Sequence, residues 1–164
     1  MESVRVGIFG LTHPHTWAHL RTLQHSDWVS EVVLYDPDSD VCDQARKDQH
    51  RKVVCVYADL EEALKKESLL VGIACFRNDE NPDLCCRLAE RGVHILSEKP
   101  IGVSSTEVTR VLEACQQAEV RLGVMYQNRY HPITQDARNL IQKGVIGKIT
   151  ACEARMVCRV RTRV

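Results

Sequence analysis

The stretch VRVGIFGLTHPHTW (residues 4–17) runs from a β-branched apolar hexad into a glycine and then into a histidine-rich turn. A strand that is apolar at nearly every position must be covered on both faces, as in a parallel sheet flanked by helices. Gly10 at its end marks a tight turn into a following helix. A dinucleotide-binding fingerprint in this register supplies two further glycines, at positions 12 and 15. Thr12 and His15 stand there instead, with His13 and Pro14 between them.

The same alternation continues along the chain. EVVLY (31–35), KVVCVY (52–57), LLVGIAC (69–75), VHILS (93–97) and RLGVMY (121–126) read as strands. The segments between them carry helix punctuation. Asp59 with Glu62 forms a capping box for a helix over 60–66. Asn81 is placed as an N-cap with Pro82 in the first turn, and Gly92 stops that helix. Ser104 or Ser105 opens another helix, to about Ala118. Strand–helix alternation requires right-handed crossovers and yields a parallel sheet with helices on both sides. The predicted fold class is α/β: a doubly wound parallel Rossmann-type sheet over 1–126, followed by the truncated start of an α+β substrate domain over 127–164.

In that second region Pro132 begins a helix, Gly144 ends it, and Gly147 turns into a final strand. RMVCRVRTRV (155–164) alternates Arg159, Arg161 and Arg163 with Val160, Thr162 and Val164, a period-two pattern with one apolar face. Three arginines on one face are read as solvated or substrate-facing, because no aromatic residues are interleaved to stack on nucleobases. A strand with an apolar side and nothing to pair with after it is an unprotected edge, so the chain is expected to be a fragment of a longer protein.

Composition excludes several classes of function. Lysine plus arginine equals aspartate plus glutamate at 22 each, so no global field draws the chain to nucleic acid or an anionic membrane. No secretory leader and no membrane-length apolar run is read, and the expected location is cytoplasmic. The eight cysteines contain no C-x-x-C pair, which leaves zinc ribbons and dithiol chemistry unsupported; they are read as reduced thiols packed as small hydrophobes.

Candidate site residues cluster at predicted strand ends. Asp36 closes VVLYD about 26 residues past Gly10, where an acidic side chain can hold both ribose hydroxyls of NAD and repel a 2′-phosphate; a plain turn in DPDSD explains it equally well. With Pro14 at the first helical position, the amides near 14–16 are expected to form an anion-friendly helix N-terminus, with Thr12, His13 and His15 replacing glycine-loop contacts. The rival reading is a metal site. His13-Pro14-His15 has the H-x-H pattern, and His15 and His19 are four apart on one helix face. His25, His50, His94 and His131 supply no partners at suitable strand ends, so no metal is assigned. In GVHILSEKPIG (92–102), Glu98, Lys99 and Pro100 follow the fifth strand directly, at the sheet edge where ligands bind. Lys99 there can stabilise charge developing on a substrate oxygen.

VGIFG (6–10), LAERGVHILSEKPI (88–101) and YQNRYHPITQDARNLIQKGVIGKI (126–149) resemble the Gfo/Idh/MocA oxidoreductase family, which includes glucose-fructose oxidoreductase and inositol dehydrogenase. The resemblance runs over essentially the whole chain. It implies an N-terminal NAD(P) domain followed by a larger domain with an open antiparallel sheet for substrate and subunit contacts. It further implies Lys99 beside the nicotinamide and reacting oxygen, Glu98 and Pro100 shaping the turn, Asp36 on the adenosine ribose, and Arg129 near the nicotinamide or substrate side. A histidine often found at the start of the family's fourth helix matches Asn81 here. The family's aspartate and histidine for substrate binding and proton transfer lie in the second domain.

The expected function is therefore that of an NAD-dependent oxidoreductase, with NADP possible. It would act on a hydroxyl or carbonyl of a sugar, polyol or related metabolite, as a homo-oligomer when intact. This chain alone is expected to be inactive. The alternative is a noncatalytic nucleotide- or metabolite-binding module.

Overall fold

The computed structural model describes residues 4–155 apart from Gln49. They fall into two compact units that divide between Met125 and Tyr126.

The first unit alternates strands and helices without interruption: β1 (Val4–Phe9), α1 (Thr16–Gln24), β2 (Val29–Tyr35), α2 (Ser39–Lys47), β3 (Val53–Tyr57), α3 (Leu60–Lys66), β4 (Val71–Ala74), α4 (Asn81–Glu90), β5 (His94–Ser97), α5 (Ser105–Gln117) and β6 (Leu122–Val124). All six strands pair in parallel, in the order β3-β2-β1-β4-β5-β6. The chain winds outward from β1 to β3, then crosses back to β4 and winds the other way. The doubly wound sheet expected from sequence is formed, and its switch point lies between β1 and β4, where ligands bind in such sheets.

Successive side chains of a strand point to opposite faces, and each face of the sheet has its own core. Val6 and Ile8 of β1 join Leu20, Leu23, Val32 and Leu34 on one side. Phe9 joins Leu84, Leu88, Ile95 and Val111 on the other. This two-sided burial is why β1 is apolar on both parities.

Capping follows the local sequence closely, with two differences. Asp59 accepts from the Glu62 amide at 2.7 Å as predicted, but the Glu62 carboxylate turns to Lys66 instead of closing the box. The complete box belongs to α5, where Ser104 and Glu107 satisfy each other's amides. Asn81 is the second difference: it is not the N-cap of α4, a position taken by Glu80. Its side chain turns inward because both ends of the amide find buried partners, described below. Gly92 ends α4 at φ 72°, with the Val93 amide reaching Leu88 and the Gly92 amide reaching Ala89, a left-handed closure that favours glycine.

The seven described cysteines are free thiols. Burial pushes Cys75 and Cys85 up to about 12, so both are inert at neutral pH. Among the described residues no helix is long and apolar enough to cross a membrane.

The second unit contains a 3₁₀ turn (Gln127–Tyr130) and α6 (Pro132–Gln142), which closes at Gly144. Among the described residues no strand is formed between Gly147 and Arg155. Most of the Arg155–Val164 alternation lies outside the described residues.

Candidate functional site

Strand register brings the site together. Phe9 pairs with Tyr35 on one side and Ala74 on the other, and Ala74 pairs with Ser97. The residues that follow these four strands, Gly10, Asp36, Cys75 and Glu98, therefore emerge side by side along the carboxyl edge of the sheet.

Gly10 sits at φ 99°, and a Cβ on it would collide with the Cys75 carbonyl. Only glycine fits there, which is the tight-turn role assigned to it. The Leu11 amide donates to Asp36 Oδ2 at 2.6 Å, and the Asp38 amide donates to Asp36 Oδ1 at 3.0 Å. Asp36 is 3% exposed and ties the loop after β1 to the end of β2. The bond from the Asp38 amide makes Asp36 itself a turn residue of DPDSD, and the cap role falls to Asp38, which accepts from the Asp40 and Val41 amides to start α2.

The histidine turn departs from expectation. α1 begins at Thr16, with His15 as its N-cap. Pro14 carries no N–H, and the turn closes on itself before the helix starts: the Thr16 amide donates to the His13 carbonyl at 3.1 Å, and the His15 amide to His13 Nδ1 at 3.2 Å. The amides expected to face an anion at 14–16 are thus engaged within the turn. Thr16 is buried and donates to the Gly10 carbonyl at 2.5 Å, while Thr12 is exposed.

Glu98 is the centre of the cluster, at 3% exposure. Its Oε1 lies 2.9 Å from His15 Nδ1 and 2.7 Å from His19 Nε2, and its Oε2 accepts from the Lys99 amide at 3.2 Å. Burial pushes this carboxyl up, but hydrogen bonds from His19 and His15 outweigh that and hold it below its ordinary value. His13 is half-buried, and desolvation lowers its pKa; the nearby Glu98 charge opposes this, while His15, His19 and Lys99 reinforce it. His13, His15 and Glu98 present one donor atom each, all within 4.8 Å of one another. Lys99 and Pro100 are exposed, joined by a cis peptide bond.

Two features were not legible in the site residues picked from sequence. Asn81, 1% exposed, accepts from the Phe76 amide at 3.3 Å and donates to Ser97 Oγ at 2.8 Å. Ser97 in turn donates to the Glu98 carbonyl at 2.8 Å. A buried chain of bonds thus runs from the loop after β4 to the Glu98-Lys99 turn. The second feature is a cavity of about 330 Å³ at the ends of β2 and β4, lined by Tyr35, Pro37, Leu60, Phe76, Leu84 and Arg87 among others. The Tyr35 and Phe76 rings stack at 5.8 Å. An aromatic residue closing β2 and another just past β4 were the available signals. Arg129 belongs to the second unit, on its 3₁₀ turn, and is exposed.

Residues 4–126 match the family described as "Oxidoreductase family, NAD-binding Rossmann fold". The chain is 31% identical to the D-xylose 1-dehydrogenase (NADP(+)) 2 of Haloferax volcanii over 97 residues, covering 58% of this chain and 30% of that protein. It is 24% identical to the myo-inositol 2-dehydrogenase of Thermotoga maritima over 147 residues, 88% of this chain and 42% of that one. The WlbA dehydrogenase of Bordetella pertussis, solved with NADH and UDP-GlcNAcA, superposes with a TM-score of 0.82 at 24% identity, over 90% of this chain and 42% of its own. The chain thus spans less than half the length of these proteins.

Proposed function

The chain belongs to the Gfo/Idh/MocA oxidoreductase family through its NAD-binding Rossmann domain, and from that premise we propose that it is the cofactor-binding part of a dehydrogenase acting on a hydroxyl or carbonyl of a sugar, polyol or related metabolite. The observation that carries this reading is the Glu98-Lys99-Pro100 turn at the carboxyl end of β5. Glu98 is anchored by His15, His19 and the Lys99 amide, and this leaves Lys99 exposed at the ligand edge of the sheet.

The residues fit a pyridine dinucleotide. The slot under Tyr35 and Phe76 offers an aromatic wall that suits a planar base, within a lining that also carries Asp79, Glu80, Asp83 and Arg87. Asp36, next to it, is followed by Pro37 and not by an arginine, which favours a free 2′-hydroxyl over a 2′-phosphate. Gly10 allows β1 and β4 to approach closely enough for the crevice to form. The bound cofactor would supply the hydride acceptor or donor. Lys99 would hydrogen-bond the reacting oxygen and stabilise charge as it develops there. Proton transfer would fall to a residue of the substrate domain, and a homo-oligomer in the cytoplasm is the expected setting.

A second reading, a noncatalytic nucleotide- or metabolite-binding module, is favoured by one observation: the His15 and Thr16 amides are engaged within their own turn. Calorimetry tests the cofactor reading. NAD should bind to one site and at least tenfold more tightly than NADP; no heat from either dinucleotide would contradict the enzyme reading and leave only a metabolite-binding module. Lys99→Ala in the protein carrying its substrate domain decides between them, since only the enzyme reading predicts a dehydrogenase activity for that change to abolish.

A further inference from the structure

We propose that His13, His15 and Glu98 form a site for one divalent transition-metal ion of the zinc class, with His19 as the residue that holds the Glu98 carboxylate in place. Two histidines and a glutamate are a known ligand set for zinc sites that keep a coordination position open. The donors come from two separate strand ends, the turn after β1 and the turn after β5, brought together by the register of the sheet. This is the third ligand that the H-x-H pattern lacked in sequence: it is a glutamate 83 residues from His15, not another histidine.

One donor pair already stands near the spacing a tetrahedral ion requires, and the third donor is close enough to move in. With bonds of about 2.0–2.1 Å, donors around zinc stand about 3.3 Å apart. His15 Nδ1 and Glu98 Oε1 are 2.9 Å apart, so the ion replaces the hydrogen bond between them with a small opening. The widest separation in the group is within 4.8 Å, and His13 is on a half-exposed turn that can close it. Whichever nitrogen of His13 takes the ion, the 3.2 Å bond from the His15 amide to His13 Nδ1 is given up, because that nitrogen then either ligates or carries the proton. His19 Nε2 stays on Glu98 Oε1 at 2.7 Å, the outer hydrogen bond that orients a ligating carboxylate. Ligation requires a neutral imidazole and an ionised carboxylate, so affinity falls at acid pH.

Cobalt titration of the chelator-stripped, fully reduced chain tests this, because cobalt reports its ligands and the eight cysteines compete for any soft metal. One equivalent should bind with visible bands typical of nitrogen and oxygen donors and without thiolate charge-transfer absorption. His13→Asn, on the half-exposed turn, and Glu98→Gln should each weaken binding at least tenfold, with folding verified by circular dichroism. His25→Asn, at the exposed far end of α1, should leave it unchanged. Binding dominated by thiolate bands, no binding at tenfold excess, or wild-type affinity in both site variants would overturn the proposal. None of these readouts depends on dinucleotide binding.

Discussion

Asn81→Ala removes a side chain that local pattern reads only as a helix cap, and its cost can be worked from the structure. The carboxamide makes two bonds, one accepted from the Phe76 amide at 3.3 Å and one donated to Ser97 Oγ at 2.8 Å. Losing a net intramolecular hydrogen bond costs about 0.5–1.5 kcal/mol, and leaving a buried polar partner unsatisfied costs about 1–3 kcal/mol. The 3.3 Å bond is at the weak end, and the Ser97 hydroxyl keeps its bond to the Glu98 carbonyl. The sum is about 2–4 kcal/mol. For a domain of this size each kcal/mol lowers Tm by about 3–5 °C, which gives a drop of about 6–20 °C. Urea unfolding followed by far-ultraviolet circular dichroism measures it, with exposed Asn78→Ala as the control expected within about 0.5 kcal/mol of wild type. A loss below about 1 kcal/mol for Asn81→Ala, or an equal loss in the control, would refute the buried strut.

Three further outcomes follow from the same geometry. Gly10→Ala forces a Cβ into the Cys75 carbonyl at a positive φ and should destabilise by more than about 2 kcal/mol, measured by the same unfolding curves. Ser104→Ala removes the capping box of α5 and should cost about 1 kcal/mol. Acid should destabilise the fold in two stages. The His13 pKa is held below its ordinary 6.5 by burial, so its contribution is full above that value and is lost as pH falls through the folded pKa. The Glu98 pKa is net lowered from 4.5 despite burial, so its contribution is present above 4.5 and lost as pH falls further. Tm measured from pH 8 to 4 should fall with acidification, and His13→Asn should flatten the first stage; a Tm that rises from pH 7 to 5.5 would contradict this.

The sheet was legible because its determinants are local or periodic. β1, β2 and β4 are apolar on both parities, and the stops at Gly92 and Gly144 and the cap at Ser104 are written in a few consecutive residues. Gly10, Asp36 and Glu98 were legible for the same reason, as residues directly following strands. The bonds that organise the site were not. His19 meets Glu98 across 79 residues and Asn81 meets Ser97 across 16, and these pairings exist only once the strand order is known. Local rules also misplaced Asn81 as a cap and Pro14 as the first helical residue. A side chain with buried partners on both ends of its amide gains more by turning inward than by capping, and the His13-Pro14-His15 turn closes before the helix can start.

The central claim is that a pyridine dinucleotide lies across the carboxyl edge of this sheet. Amide chemical-shift mapping of the labelled chain during titration with NAD addresses it most directly. Saturable shifts at Gly10, Leu11, Asp38 and Phe76, with Lys99 among the perturbed residues, are the predicted result. Shifts confined to the groove beside Trp17 and His50, or none at millimolar NAD, would contradict it.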